Sequence, residues 1–529
     1  MKMATVSTTV TTQPDGRVDL PDHSAIRDSR FYNAELAPVP VGLRTWTTYN
    51  YAALWMAMAF CIPSYTLAAS LIAFGMNSLQ AFMTITLANL IVMVPMLLNS
   101  HAGTKYGIPF PVYARAFFGI RGANLAAILR GLVACGWFGV QTWIGGSAVN
   151  AILGALVGET WTSAGHLFGK PWTLWACFLL FWAVQIGMIL RGMNTVKWLE
   201  NWSAPILAIG MTVLAVWIVI AAGGLGVITS QESQLGWGAD FWKVFAPSLM
   251  GMIAFWATLS LNIPDFTRFS KSQTGQTKGQ ILGLPTSMAY IALLSIVITS
   301  SAVELYGDRL GDKAAQILFD PVQLILQFDS KIAVLIGLVI VIVATVSTNL
   351  AANVVSPSYD FSNAVPKRIS FRTGGLITGG IGVLIFPWVL VESPNIYIFA
   401  WLNTYGGLLA AIAGVLVAGY WFRARTELHV AELYTEHGRY WFTGGWNLPA
   451  LIATLVGAVL SVGGAYSTLD ATGASTGPFP ADGLIPFLKD LYDYSWIVGF
   501  VAAFLVYLAL TANGRDRTSQ HRHSAYRAR

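Results

Sequence analysis

Apolar residues in this chain gather into runs about twenty long, with neither the 3.6-residue rhythm of a half-buried helix nor strand alternation. Such a run matches a helix crossing a hydrocarbon core at about 1.5 Å per residue. Twelve runs are read, at about 47–74, 79–100, 123–157, 172–191, 199–222, 242–264, 282–303, 332–356, 374–391, 394–420, 447–468 and 494–513. The long third run is expected to include a bent or interfacial portion. Backbone exposed to lipid must satisfy its own hydrogen bonds, so runs of this kind become helices. The pattern predicts an all-α polytopic membrane protein with 12 transmembrane helices.

Two of the runs echo each other. Leu54–Thr66 reads LWMAMAFCIPSYT and, 201 residues later, Phe255–Thr267 reads FWATLSLNIPDFT. They share Trp55/Trp256, Ile62/Ile263, Pro63/Pro264 and Thr66/Thr267. Proline removes a ladder hydrogen bond, so both runs are expected to break there. Matching interruptions in two halves point to the binding site of a secondary transporter built from inverted repeats. The repeat unit is then five helices. Because five is odd, the second unit, 242–420, lies upside-down relative to the first, 47–222, and two further helices at 447–513 follow.

Composition narrows the class. Of 529 residues, 55% are hydrophobic and 11% charged, against about 25% charged in soluble domains; the mean hydropathy is +0.59. With the N-terminus inside, 24 of the 31 Lys and Arg fall in inner loops and tails. This charge bias sets orientation, and both termini, 1–46 and the basic 514–529, are read as cytoplasmic in a multi-pass plasma-membrane protein. The net charge of +6 follows from this topology and calls for no nucleic acid. The first 46 residues carry Asp15, Asp19, Asp22 and Asp28, so no cleavable signal is expected, and both tails read as disordered. Cys61, Cys135 and Cys177 show no CxxC spacing, which argues against a disulfide framework or a zinc site. No GxxxxGK[ST] motif occurs for an ATP-driven pump. Catalytic constellations are also missing from the runs, so the chain is not read as an enzyme.

The chemistry then rests on buried neutral groups, since Glu200, Asp265, Asp360 and Glu392 lie at or near predicted span ends. In GWFGVQTW (136–143), Trp137 and Gln141 stand one turn apart on one face. An indole beside a carboxamide suits a flat heterocycle, one stacking on the ring and the other reading its C=O and N–H edge; packing between helices explains them equally. Trp256, after Phe255, offers a second indole or simple packing. ATVSTNLAAN (344–353) places five polar residues in an apolar run. Ser347 and Thr348 there form half of an oxygen cage for Na⁺, or bond back to their own helix. Unpaired carbonyls in the break Ala57–Pro63 are the other candidate ion ligands. Arg130 reads as a snorkelling or loop-pairing residue.

GIPFPVYARAFFGIRG (107–122), GWFGVQTWIGG (136–146), SLNIPDFTRF (260–269) and STNLAANVVSPSYDF (347–361) resemble the nucleobase–cation symporter-1 family from about Trp46 to the end of the twelfth run. The resemblance implies a LeuT-like five-plus-five inverted-repeat fold with alternating access. It implies Trp137 and Trp256 as the indoles that sandwich the substrate, Gln141 and Asn353 as the amides that bond its polar edge, and Leu402 as the residue packing over it. Cys61 and Phe255 complete that set. Cys61 stands where the family's hydantoin transporter has glutamine, so the polar edge is expected to be read differently. The implied Na⁺ site comprises the carbonyls of Ala57, Phe60 and Ala344 with the hydroxyls of Ser347 and Thr348. No other cofactor and no obligatory protein partner is expected. The favoured reading is cation-coupled import of allantoin or another hydantoin. Uracil or cytosine transport, proton coupling, and a ligand-sensing receptor are the alternatives.

Overall fold

The computed structural model describes residues 10–163, 165–191, 193–226, 232–469 and 472–512. The basic stretch 514–529 lies outside the described residues. A helix stands at each of the twelve predicted positions. Six are long and apolar enough to cross a membrane alone: Ser78–Tyr106, Ala123–Val157, Trp172–Arg191, Gln273–Leu310, Lys331–Ala364 and Asn395–Arg423. They are spans 2, 3, 4, 7, 8 and 10. Spans 1 (Thr48–Ala59 with Ile62–Ala73) and 12 (Pro486–Tyr492 with Ser495–Leu510) are bent pairs. Span 5 is Met193–Ala221, span 9 Phe371–Leu384 and span 11 Leu448–Val462. Span 6 is broken into Ala239–Phe255, Ala257–Asn262 and Pro264–Thr267. A short helix, Phe110–Phe118, joins spans 2 and 3.

Span 8 packs along span 3, and span 3 in turn packs against spans 4 and 9. Small residues let those backbones approach, as in other helix pairs buried in lipid. A Cβ added at Gly139 of span 3 would lie 2.2 Å from the Gly382 carbonyl oxygen of span 9. Spans 10, 11 and 12 form a second packed group.

The structure corrects the reading of the N-terminal stretch as disordered. Residues 10–46 fold against one end of the bundle, through a two-stranded ribbon (Thr11–Thr12 with Val18–Asp19) and two 3₁₀ turns. Val18, Leu20, Ile26 and Leu36 are buried. Arg44, also buried, donates to the carbonyls of Val39 (2.8 Å), Thr104 (3.1 Å) and Val18 (2.8 Å). Asn33 donates to Pro366 O, Arg268 to Glu35 O and Tyr434 to Leu36 O. The segment therefore ties together the ends of spans 6, 8 and 10. Four scattered apolar residues in a polar stretch do not signal burial; the bonds from Arg44 to Val18, Val39 and Thr104 and from Tyr434 to Leu36 complete the packing.

Arg130 does not snorkel. It lies inside the bundle and pairs with Asp360 at 3.2 Å, with both side chains buried. Nor does span 8 end near 356: it continues to Ala364 and carries Asp360 with it. Asp265 is buried too, accepting from the Phe110 N–H at 2.8 Å. These charges lie toward the end of the bundle that carries the N-terminal segment.

Candidate functional site

Span 1 stops at Phe60 (φ −78°, ψ 71°), and Cys61 is extended. The Cys61 N–H turns to Ala59 O at 2.9 Å, which releases the Ala57 carbonyl from the i→i+4 ladder. The two halves meet at 58°, with Pro63 placed early in the second half, where its missing N–H costs least. Cys61 Sγ lies 3.2 Å from Ser64 Oγ.

Span 6 breaks at Trp256 (φ −97°, ψ 5°), eight residues before the proline where the echo with span 1 predicts it; at Pro264 the helix is only interrupted, at Ile263. Phe255, at the end of its first segment, stands perpendicular to two indoles. It is 5.2 Å from Trp137 at 84° and 4.9 Å from Trp256 at 82°. Trp256 leans edge-on against Trp55 at 5.2 Å. Among the described residues the two indoles make no ring contact with each other. Phe255 is thus a wall shared by both, a placement absent from the simple sandwich.

Span 3 brings Trp137 and Gln141 to one face, both buried. Gln141 Oε1 has no hydrogen-bond partner among the described residues, and neither has Trp256 Nε1. A buried orphan acceptor is costly, and in a pocket it marks where a ligand N–H belongs. Trp137 Nε1 is occupied, donating to Tyr405 OH at 3.3 Å.

Span 8 contributes Asn353, whose Nδ2 donates to Asn349 Oδ1 at 2.9 Å. Asn349 donates to Gln185 Oε1 (2.8 Å) and Phe138 O (3.0 Å), and Gln185 donates to Thr142 Oγ1 (3.0 Å). Spans 3, 4 and 8 thereby fix the Asn353 amide. Thr345 bonds back to its helix, at Val341 O (2.6 Å). Thr348 is buried three positions further along. Ala344 and Ser347 are buried on the same span, which also touches both halves of span 1.

Span 10 supplies residues that sequence reading missed. Its stretch Asn395–Leu402 is π-helical, a form that recurs at functional sites. Tyr397, Trp401 and Tyr405 pack around Trp137 with ring centroids 6.1, 6.4 and 6.3 Å away. Tyr397 OH also donates to Pro63 O at 3.2 Å, joining span 10 to the span 1 break. Leu402 is fully buried beside them. The i, i+4, i+8 spacing of these three aromatics was visible in the sequence.

The result is an uncharged, aromatic-walled site at two helix breaks, with one orphan carboxamide oxygen. Residues 38–499 match the family described as permeases for cytosine/purines, uracil, thiamine and allantoin. The chain belongs to that family. The allantoin permease of Bacillus subtilis is 38% identical over 492 residues, covering 92% of this chain and 94% of that protein. A purine-uracil permease of Arabidopsis thaliana is 35% identical over 500 residues, covering 93% and 80%. The structure of Mhp1, a nucleobase–cation-symport-1 family transporter in a closed conformation with bromovinylhydantoin bound, superposes with a TM-score of 0.70. It shares 23% sequence identity and covers 91% of this chain and 95% of that one. The five-plus-five reading of the fold agrees with this likeness, and the chain is a multi-pass membrane transporter of a small molecule.

Proposed function

We propose that this chain imports a planar ureide or imide heterocycle, allantoin or another hydantoin by preference, through Na⁺ symport. The orphan Gln141 Oε1 carries the reading, because it sits one turn from Trp137 in an otherwise neutral aromatic site. The ring stacks against Trp137 and Trp256, and Phe255 limits its size. A ring N–H donates to Gln141, while Asn353, held by Asn349, meets the opposite polar edge. Cys61 leaves one side of that edge less strongly bonded than an amide would. Leu402 and Tyr397 close span 10 over the ligand. Na⁺ binds the carbonyls of Ala57, Phe60 and Ala344 and the hydroxyls of Ser347 and Thr348. The released Ala57 carbonyl and the buried Thr348 hydroxyl support this site. Both termini face the cytoplasm of a plasma-membrane protein, with repeats at 47–222 and 242–420, helices 11 and 12 within 447–513, and tails at 1–46 and 514–529.

The test is uptake of radiolabelled allantoin and uracil into proteoliposomes under an imposed Na⁺ or pH gradient. Thr348→Ala is expected to raise the half-saturating Na⁺ concentration about tenfold or more, the effect of losing about 1.4 kcal/mol, with the order of substrate preference unchanged. Uptake indifferent to Na⁺ would overturn the ion assignment. One observation favours a second reading, proton coupling: Asp265 and Asp360 are carboxylates buried in the bundle near Arg130. Accumulation driven only by the pH gradient would select it.

A further inference from the structure

A cavity of about 300 Å³ lies behind span 10, at the end of the bundle opposite the N-terminal segment. Span 6, span 10, the loop between spans 11 and 12, and the start of span 12 enclose it. Its volume is at the lower end of small-molecule pockets, about 300–1,000 Å³. Aromatic rings of Phe399, Tyr466 and Tyr492 line it, together with Asn403, Thr476 and Asp493.

The polar groups leave a surplus of acceptors. Asn403 is fully buried, and its Nδ2 donates to Pro247 O at 3.1 Å. Its Oδ1 has no partner among the described residues. That oxygen lies where a Cβ on Gly251 would come within 3.3 Å, so a larger residue at 251 would crowd it. Asp493 accepts from Tyr466 OH through one carboxylate oxygen at 2.8 Å, leaving the other available. Tyr492 is committed to Thr404 at 2.8 Å. Charges at the rim are of both signs: Lys243, which lines the cavity, pairs with Asp240 at 3.0 Å, and Lys489, 4.8 Å over the Tyr466 ring, stands beside Asp490 and Asp493. No single sign of charge dominates the entrance. Aromatic faces with spare acceptors and a rim of mixed charge suit a flat, uncharged ligand that brings hydrogen-bond donors.

We propose that this cavity is a second small-molecule site, which takes an uncharged planar amide or ureide with free N–H groups. The ligand class rests on the function proposed above, since it is the class assigned to the central substrate. Span 10 is the shared wall. Phe399 and Asn403 face this cavity, while Tyr397, Trp401 and Tyr405 pack on Trp137. Occupancy behind the helix therefore fixes the position of the rings around the central site.

Equilibrium binding of radiolabelled allantoin, uracil and hydantoin to the purified full chain in detergent tests this. The expected result is two molecules per chain for at least one of the three. Thr476→Trp, a loop substitution that fills the cavity, is expected to reduce this to one, as is Asn403→Leu. In a Trp137→Ala, Gln141→Leu variant one molecule remains, and adding Thr476→Trp abolishes it. A stoichiometry of one in the parent chain, unchanged by Thr476→Trp and lost with Trp137→Ala, overturns the second site and leaves the central one standing. Two molecules that survive both Thr476→Trp and Asn403→Leu also overturn it. Binding of none of the three overturns both assignments together.

Discussion

Replacing Gln141 by leucine removes the orphan carboxamide while keeping most of its volume. On the proposed reading, a substrate N–H that leaves water finds Gln141 Oε1, buried and otherwise without a partner among the described residues. In Gln141→Leu the same N–H is buried against a methyl group. An unpaired buried donor costs about 1–3 kcal/mol, which corresponds to roughly 5- to 150-fold weaker binding. The assay is concentration-dependent uptake into proteoliposomes, normalised to reconstituted protein, with the ring substrate and its N-methylated analogues. Methylation at the nitrogen that meets Gln141 should weaken uptake by the parent chain about as much as the leucine does. The same methylation should cost the variant little, because the bond is already gone. The pair then couples by about 1–3 kcal/mol in a double-mutant cycle, within the span of about 0.5–3 kcal/mol found for groups in direct contact. Equal methylation penalties in both proteins, at every ring nitrogen, would show that Gln141 packs and does not read the ligand.

Three further outcomes are expected. Phe255→Ala removes the ring that stands 5.2 Å from Trp137 and 4.9 Å from Trp256, so bicyclic purines and N-benzyl hydantoins should compete for uptake at least tenfold better; unchanged competition would deny Phe255 a role in selection. Arg44→Leu leaves three carbonyls without their donor and should destabilise the chain by about 3 kcal/mol, read as a lower thermal midpoint in detergent; an unchanged midpoint would mean the N-terminal segment is not docked. Asp320, in the connection after span 7, caps Pro321–Ile325 by accepting from the Val322 N–H at 2.9 Å, and burial pushes its carboxyl up to about 6. The folded chain thus holds this proton more tightly than the unfolded chain, whose carboxyl titrates near about 4, so this group makes stability fall as pH rises through that window. Asp320→Asn retains a capping residue and should flatten that slope, which pH-dependent unfolding in detergent will detect; an unaltered slope would refute the assignment.

What could be read from the sequence depended on which groups must pair within their own segment. The break of span 1 beside Pro63 was legible because proline cannot donate, whatever surrounds it; the break of span 6 at Trp256 was not, since no proline stands there. Trp137 and Gln141 were legible because helical spacing alone puts them on one face. The end of span 8 was not. Ser358, Asp360 and Ser362 fell beyond the predicted run, which ended at about Ser356, yet all four are buried, and partners from distant segments account for several. Asn262 donates to Ser356 Oγ, and Arg130 pairs with Asp360. Such partners lie 94 and 230 residues away, beyond any local pattern. Tyr397, Trp401 and Tyr405 had a readable helical spacing but no contrast, in a chain with 20 Trp and 19 Tyr. Only the approach of span 10 to Trp137 singles them out.

The placement of the buried charges bears on which ion drives transport. Coupling requires an ion that binds one conformation better than the other. Arg130 and Asp360 lie on spans 3 and 8, which pack extensively along each other, so their pair persists wherever those two helices move together. Asp265 differs. It lies on span 6, accepts from the start of the Phe110–Phe118 helix, and neighbours Asn262, which donates to Ser356 of span 8. Separation of span 6 from span 8 breaks that last bond and lets water reach Asp265, leaving Arg130–Asp360 intact. The proposed Na⁺ ligands also straddle a boundary, that between spans 1 and 8, where contact is slight. Each arrangement meets the requirement for coupling, but they make opposite demands on mutation. If Na⁺ drives transport, Asp265→Asn leaves ion dependence intact and alters only how tightly the end near the N-terminal segment closes. If protons drive it, Asp265→Asn abolishes accumulation yet permits exchange of labelled for unlabelled substrate. Measuring net uptake and exchange on that one variant therefore separates a closing contact from a proton carrier.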